Sequence, residues 1–308
     1  MKLVIIGAGA MGSLFGARLS PLAEVWLIDQ WAAHVAAIQE QGLQLIDLDG
    51  QERVIPVRAG TDPAEIGPPA DLAIIFVKSP QTTQASRMAA ACLKPGGLAL
   101  SLQNGLGNIE MIEAVLGSGR TIQGVTSHGA TLLGPGRVRH AGAGATHLAL
   151  TPALAERTEA IGRLFEQAGF ESHCSADLAS LLWGKLIINV GINALTAILR
   201  LPNGLLAEVE PATQLMAAAV AEAVTVAQAK GIELPYADPQ AQVRQVARAT
   251  GTNRSSMLSD VIRAVPTEIA VINGAIVREG AKLGLDTPVN QMLVWLVRVL
   301  EATYQQQL

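Results

Sequence analysis

Lys185, Asn189 and Asn193 are the polar side chains of the run Leu181 to Leu195, and they recur every four residues among leucines, isoleucines and valine. That spacing puts all three on one stripe of a helix whose other faces are apolar. Carboxamides and an ammonium in such surroundings need partners, and a ligand with carbonyl, hydroxyl and carboxylate groups would supply them. Burial also lowers a lysine pKa towards the range of a general acid. Two simpler readings stand beside this one: a polar network between helices, or a lysine that extends along the apolar face to water.

A second cluster lies further along, at Thr252-Asn253-Arg254-Ser255-Ser256-Met257 and at Pro266-Thr267-Glu268-Ile269 with Ile272-Asn273-Gly274. Local sequence alone leaves its role open. Ser255 or Ser256 would serve as a helix cap, and Glu268 would suit the first turn of a helix.

A third set stands near the beginning, where Lys2-Leu3-Val4-Ile5-Ile6 runs into Gly7-Ala8-Gly9-Ala10-Met11-Gly12. The first glycine permits a tight turn, the second lets the backbone approach a pyrophosphate, and the third lets the following helix pack closely. A helix N-terminus there would hold phosphate with its backbone N–H groups. Asp29 closes the next apolar run, Glu24 to Ile28, about 20 residues on, where a carboxylate would accept ribose hydroxyls. The pattern predicts a dinucleotide site. A secretory leader is the competing reading of this start, but its apolar stretch breaks after Ile6, so the segment reads as a first strand.

These residues need elements to position them. Strands are predicted over Asp71 to Val77, ending at Lys78, and over Gly97 to Leu102, ending at Gln103-Asn104-Gly105. In open α/β sheets ligands sit beyond the carboxyl ends of the strands, which is where Lys78 and Asn104 fall. A helix over Ala32 to Gln41 precedes Gly42, and Leu43 to Ile46 with Arg53 to Val57 flank Asp49-Gly50 as a hairpin. Pro68-Pro69 marks a break. Thr121 to Thr126 and Thr146 to Leu150 read as further strands, separated by Gly134-Pro135-Gly136. From about Asp177 the pattern becomes helical throughout, punctuated by Pro202-Asn203-Gly204, Pro211, Gly231, Asp238-Pro239 and Thr287-Pro288. The fold expected is α/β, with an N-terminal Rossmann doubly wound sheet over residues 1–175 and an all-α C-terminal domain over residues 176–308.

Composition narrows the partners. A chain of 308 residues, half of them hydrophobic, fills two cores, and a net charge of −4 with 3% aromatic residues argues against nucleic acid and anionic membrane. The apolar stretch from Leu186 to Leu199 is about 14 residues and carries two asparagines, which reads as too short and too polar for a membrane span. Cys92 and Cys174 show no metal-ligand spacing and read as reduced thiols of a cytoplasmic protein, and no metal site is expected. His128 and His140 likewise have no ligand spacing. The alanine-rich helices leave open whether they pack within one chain or between two chains of a homodimer.

Taken in order, the glycine turn, Val77-Lys78, Gln103-Asn104-Gly105-Leu106-Gly107, the Lys185 stripe, Pro202-Asn203-Gly204, Ser255-Ser256-Met257 and Thr267-Glu268-Ile269 with Ile272-Asn273-Gly274 resemble the ketopantoate reductases, the 2-dehydropantoate 2-reductases of pantothenate biosynthesis. The resemblance covers nearly the whole chain. It implies reduction of a small keto acid with NADP(H), Lys185 as general acid and Glu268 assisting it. It further implies substrate contacts from Asn189, Asn193, Asn203 and Ser256, a place for Asn104 between cofactor and substrate, and cofactor contacts from Lys78 and the backbone of Ala130. Related alternatives are reduction of another 2-keto or 3-hydroxy acid, and a non-catalytic dinucleotide sensor. In one respect the chain departs from the pattern. Members using NADPH commonly carry an arginine after the second strand, whereas this strand ends Asp29-Gln30-Trp31, and a carboxylate there favours the free 2′-hydroxyl of NAD(H).

Overall fold

A computed structural model describes residues 1–66 and 69–306, so Pro68 lies outside the described residues. Compactness divides the chain into two units, one of Met1–Gln103 with Asn108–Leu178 and one of Asn104–Gly107 with Ala179–Leu308.

The first unit contains the strands β1 (Lys2–Ile6), β2 (Glu24–Ile28), β3 (Leu43–Ile46), β4 (Glu52–Ile55), β5 (Arg58–Gly60), β6 (Ala70–Ile75), β7 (Leu93–Ser101), β8 (Thr121–Thr126), β9 (Gly129–Gly134), β10 (Arg137–Gly142), β11 (Thr146–Ala149) and β12 (Ser172–Ser175). Its helices are α1 (Ala10–Leu19), α2 (Ala32–Gln41), α3 (Thr82–Cys92), α4 (Asn108–Leu116) and α5 (Ala155–Gln167). The large sheet has the order β12-β11-β8-β7-β6-β1-β2-β5, parallel throughout except for the β11/β8 pair. From β5 to β8 this is the doubly wound order, with its topological switch between β1 and β6.

The central strands read as unbroken apolar runs because both faces are buried. Leu3 and Ile5 enter one core with Leu14 and Phe15, while Val4 and Ile6 enter another with Ala85, Ala89 and Ile112. The expected hairpin forms, as β3 and β4 pair antiparallel with Leu43 opposite Ile55. It joins β10 and β9 in a second sheet of order β4-β3-β10-β9, which packs on α1. Neither β9 nor β10 was legible as a strand: both are short, rich in Gly, Ala or Arg, and carry partly exposed faces. Nor were β5, three residues of Arg, Ala and Gly, or β12, four residues of Ser, His and Cys: both are too short and too polar to show a strand pattern.

The second unit holds α6 (Ala179–Leu199), α7 (Leu205–Glu208), α8 (Glu210–Ala229), α9 (Pro239–Ala249), α10 (Ser256–Ile262), α11 (Asn273–Lys282) and α12 (Pro288–Ala302), with no strand among its described residues. Helix α6 packs against α8, α9, α10 and α12. At Gly191 a Cβ would fall 2.7 Å from Val243 Cγ1 and 2.8 Å from Val220 Cγ2, so glycine sets how closely the neighbours approach. With 21 residues, α6 is long and apolar enough to cross a bilayer by length and composition, which corrects the view of this segment as too short. Its apolar surface is spent inside the unit, with 67% of the most apolar window buried.

Capping chemistry accounts for several boundaries. Asp238 accepts the Ala241 N–H at 2.9 Å, with Pro239 opening α9. Thr287 makes no side-chain cap for α12; Glu222 does that work, accepting from the N–H groups of Val289 at 2.8 Å and Asn290 at 2.9 Å.

Candidate active site

In the first unit the glycine turn joins β1 to α1. Gly7 has φ +94°, and a Cβ on it would lie 2.6 Å from the Val77 nitrogen, so the carboxyl ends of β1 and β6 meet there. At Gly12 a Cβ would sit 2.0 Å from the Gly7 carbonyl oxygen and 3.2 Å from Ile5 Cγ2, which forces glycine where the helix presses on turn and strand. Gly9 differs from both. Its Cβ would meet nothing within 4 Å, leaving open space at the N-cap of α1. An open cradle at a helix N-terminus, with Ala8, Ala10 and Met11 contributing only small or apolar side chains and backbone, fits a pyrophosphate.

Asp29 follows β2 and is partly exposed; its Oδ1 accepts the Trp31 N–H at 2.9 Å. The next side chain, Gln30, donates to the Thr61 carbonyl at 3.0 Å. Lys78 lies past the end of β6, and Ala130 is on β9, in the sheet that packs on α1. Gln103, at the end of the strand and within the family motif but given no role by either, fastens this rim. It donates to the Val77 carbonyl and to Thr82 Oγ1, each at 2.8 Å, while its Oε1 accepts from Ser101 Oγ at 2.9 Å.

In the second unit Lys185, Asn189 and Asn193 follow one another along α6. The residue Lys185 is partly exposed as a whole, but desolvation of its ammonium pushes the pKa down to about 8, against the opposing effect of the Glu268 carboxylate. Glu268 is buried and lies in the bend before α11, not in a helical first turn, so a helix dipole does not explain it. Asn104 donates from Nδ2 to Glu268 Oε2 at 3.2 Å.

The placement of Asn104 follows from its neighbours. Gly105 has φ +82°, and a Cβ on it would come 2.2 Å from the Val271 carbonyl oxygen. Leu106 N–H donates to that same carbonyl at 3.0 Å, and the Arg278 guanidinium donates to the carbonyls of Ala270 at 2.5 Å and Leu106 at 3.3 Å. The Asn104–Gly107 segment is thereby clasped to the turn that carries Glu268. Arg278 had no signal in the local sequence, because it reaches this turn from the following helix.

Asn203 is buried, and its Nδ2 donates to Thr250 Oγ1 at 2.9 Å while its Oδ1 has no hydrogen-bond partner. A buried acceptor left in this way costs about 1–3 kcal/mol, which a ligand donor would recover. Ser255, not Ser256, caps α10, accepting the Leu258 N–H at 3.0 Å; Ser256 is exposed at the first position of that helix. Asn193 is buried, and Asn189 is partly exposed. Among the described residues no group of three His, Cys, Asp or Glu is arranged to hold a metal.

The profile of the family described as "Ketopantoate reductase PanE/ApbA" matches residues 3–152, and that of "Ketopantoate reductase PanE/ApbA C terminal" matches residues 177–301. The chain belongs to the ketopantoate reductase family. Among curated relatives, the 2-dehydropantoate 2-reductase of Halobacterium salinarum is 34% identical over 304 residues, covering 98% of this chain and 99% of the relative. That of Pyrococcus abyssi is 34% identical over 303 residues, with 98% of each chain covered. Among solved structures, a PanE/ApbA family ketopantoate reductase from Ralstonia eutropha JMP134 superposes with TM-score 0.91 at 34% identity, over 99% of this chain and 100% of that one. D-mandelate dehydrogenase, solved as a ternary complex with NADH and anilino(oxo)acetate, superposes with TM-score 0.90 at 31% identity and the same coverage.

Proposed function

We propose that this ketopantoate reductase family member reduces 2-dehydropantoate to pantoate, with Lys185 as the proton donor. The observation that carries the reading is the Lys185 ammonium, lowered to about 8 by burial and set against Glu268, on a chain matched to the family along nearly its whole length. NAD(P)H, when bound, supplies the hydride. Gly7 to Gly12 hold its pyrophosphate through backbone N–H groups at the start of α1, with Asp29 towards the adenosine ribose and Lys78 and the Ala130 backbone as further contacts.

On this reading Lys185 donates its proton as charge develops on the ketone oxygen, and an acid whose pKa lies near working pH is well matched to that task. Glu268 keeps Lys185 protonated, since its negative charge is the influence that raises the lysine pKa. Asn104 orients the Glu268 carboxylate by donating to it. Asn189, Asn193, Asn203 and Ser256 bind the substrate's oxygen atoms, and the unpartnered Asn203 Oδ1 accepts from its hydroxyl.

The sign of the pH dependence follows. Protonated Lys185 is the active form, so kcat is expected to be level below pH about 8 and to fall above it. Glu268→Gln removes the charge that holds the lysine pKa up, and the descending limb in kcat against pH should move to lower pH. A limb that stays in place would separate Glu268 from the ionisation of Lys185.

Dinucleotide choice is a separate expectation. With Asp29 and Gln30 after β2 there is a carboxylate and a neutral amide, held to Thr61, where a 2′-phosphate would need a basic group. NADH is therefore expected to give kcat/KM at least equal to that of NADPH, and a strong preference for NADPH would defeat the assignment. The D-mandelate dehydrogenase structure, a similar protein holding NADH, supports this direction. It also favours one second reading, the same chemistry on an aryl 2-keto acid.

A further inference from the structure

Resting on the proposal that the glycine turn holds a dinucleotide, we infer that His34 is a positioning residue. Through a relay by way of Ser13 it fixes the Ala8–Gly9 peptide so that the Gly9 N–H faces the pyrophosphate.

His34 lies on α2 with no exposure to solvent, and both its ring nitrogens are engaged. The Gly136 N–H, in the turn between β9 and β10, donates to Nδ1 at 2.9 Å. A backbone N–H only donates, so Nδ1 must be the unprotonated acceptor and the ring proton must reside on Nε2. Nε2 lies 3.2 Å from Ser13 Oγ and therefore donates to it. The single hydroxyl proton of Ser13 is then committed to the Ala8 carbonyl, at 2.7 Å. Every proton in the chain Gly136, His34, Ser13, Ala8 has one direction. Desolvation lowers the His34 pKa, against the opposing Asp29 charge and a contact of the ring with the Ala8 backbone, and keeps the ring in the neutral form that the relay requires. Trp31 stacks on the imidazole, with 5.2 Å between ring centres and planes 7° apart, and holds the ring in place.

The consequence lies in the peptide plane. A trans peptide carries its C=O and the following N–H on opposite sides. Drawing the Ala8 carbonyl towards buried Ser13 turns the Gly9 N–H the other way, out of the fold. Gly9 is the residue whose missing side chain leaves open space at the N-cap of α1. The relay thus presents a preset donor where an anion would bind, and a donor already in place loses less entropy on binding. The sequence offered no hint of this, because His34 is 21 residues from Ser13 and 102 from Gly136.

The test is the dissociation constant for NADH and NADPH, read by quenching of protein fluorescence in full-length protein, with kcat at saturating dinucleotide and Tm measured alongside. His34→Asn places an amide oxygen near Nδ1 and keeps the Gly136 bond, but loses the donor to Ser13. His34→Gln keeps a donor near Nε2. Ser13→Ala removes the hydroxyl itself. His34→Asn and Ser13→Ala are each expected to weaken dinucleotide binding about tenfold, the worth of one buried hydrogen bond, with kcat at saturation within twofold of the parent. His34→Gln should restore most of the affinity. The double variant should lose no more than either single one, because both interrupt the same relay.

Unchanged affinity in both single variants, equal loss in His34→Asn and His34→Gln, or additive losses in the double variant would overturn the inference while leaving the dinucleotide site in place. A parent protein that binds neither dinucleotide would overturn the site and the relay together. If His34→Asn does not fold, Ser13→Ala, which deletes one oxygen, decides the matter.

Discussion

Lys185→Ala should lower kcat by about a thousandfold while leaving the affinity for NAD(P)H unchanged. The size follows from the loss of a positioned general acid, worth 10²–10⁴-fold in rate. The selectivity follows from where the residue stands: Lys185 belongs to α6 of the helical unit, whereas the glycine turn, Asp29, Lys78 and Ala130 belong to the sheet-bearing unit. Alanine is a good helix former in α6, but removing the ammonium leaves the buried Glu268 carboxylate without that opposing charge, so a fall in Tm is expected and is measured alongside. Arginine should not rescue it. Its guanidinium stays protonated far above working pH and does not give up a proton to the substrate. Stopped-flow single turnover with the keto acid, together with a dinucleotide titration, checks both halves. Turnover at the parental rate would remove Lys185 from the chemistry, and a parallel loss of dinucleotide affinity would make it a binding or folding residue.

Gly9→Ala and Gly12→Ala should separate binding from folding at the other end of the chain. At Gly9 the new methyl group meets no protein atom within 4 Å, and the residue's φ of −59° and ψ of −166° suit alanine. The protein should fold with its Tm unchanged. The methyl group instead occupies the space that a pyrophosphate must enter, so affinity for NAD(P)H should fall by at least tenfold. At Gly12 the methyl group would lie 2.0 Å from the Gly7 carbonyl oxygen, a backbone atom that cannot swing aside. Relief requires α1 to move off β1, which should cost about 1–3 kcal/mol of stability as well as the affinity. Equal behaviour of the two variants in both Tm and dinucleotide titration would contradict the distinct tasks given to these glycines.

How much of this was legible beforehand varies with the range of the interaction. The glycine turn, β1, β2, β6 and α2 follow from local patterns, since buried parallel strands and a glycine-ended helix announce themselves within a few residues. The four-spacing of Lys185, Asn189 and Asn193 gave the polar stripe of α6, because a helix converts spacing directly into a face. What the local pattern misjudged was decided by distant partners. Glu268 suited a helical first turn on its own neighbourhood, yet it lies in a bend clasped by Asn104, Gly105 and Leu106 from more than 160 residues earlier. Thr287 had the composition of a helix cap, but Glu222 of α8 reaches the start of α12 first. Strands β9 and β10 are held by pairing with each other and with β3, not by β propensity of their own. The family motifs carried Asn104 and Glu268 as separate marks. Their hydrogen bond at 3.2 Å is the structural addition.

The most direct test is to follow dinucleotide oxidation by absorbance with purified protein, offering 2-dehydropantoate and an aryl 2-keto acid in turn, each with NADH and with NADPH. Rapid turnover of 2-dehydropantoate is expected, with kcat/KM well above that for the aryl acid and with NADH at least as effective as NADPH. No oxidation of either dinucleotide in the presence of 2-dehydropantoate, by protein shown to bind the dinucleotide, would contradict this expectation.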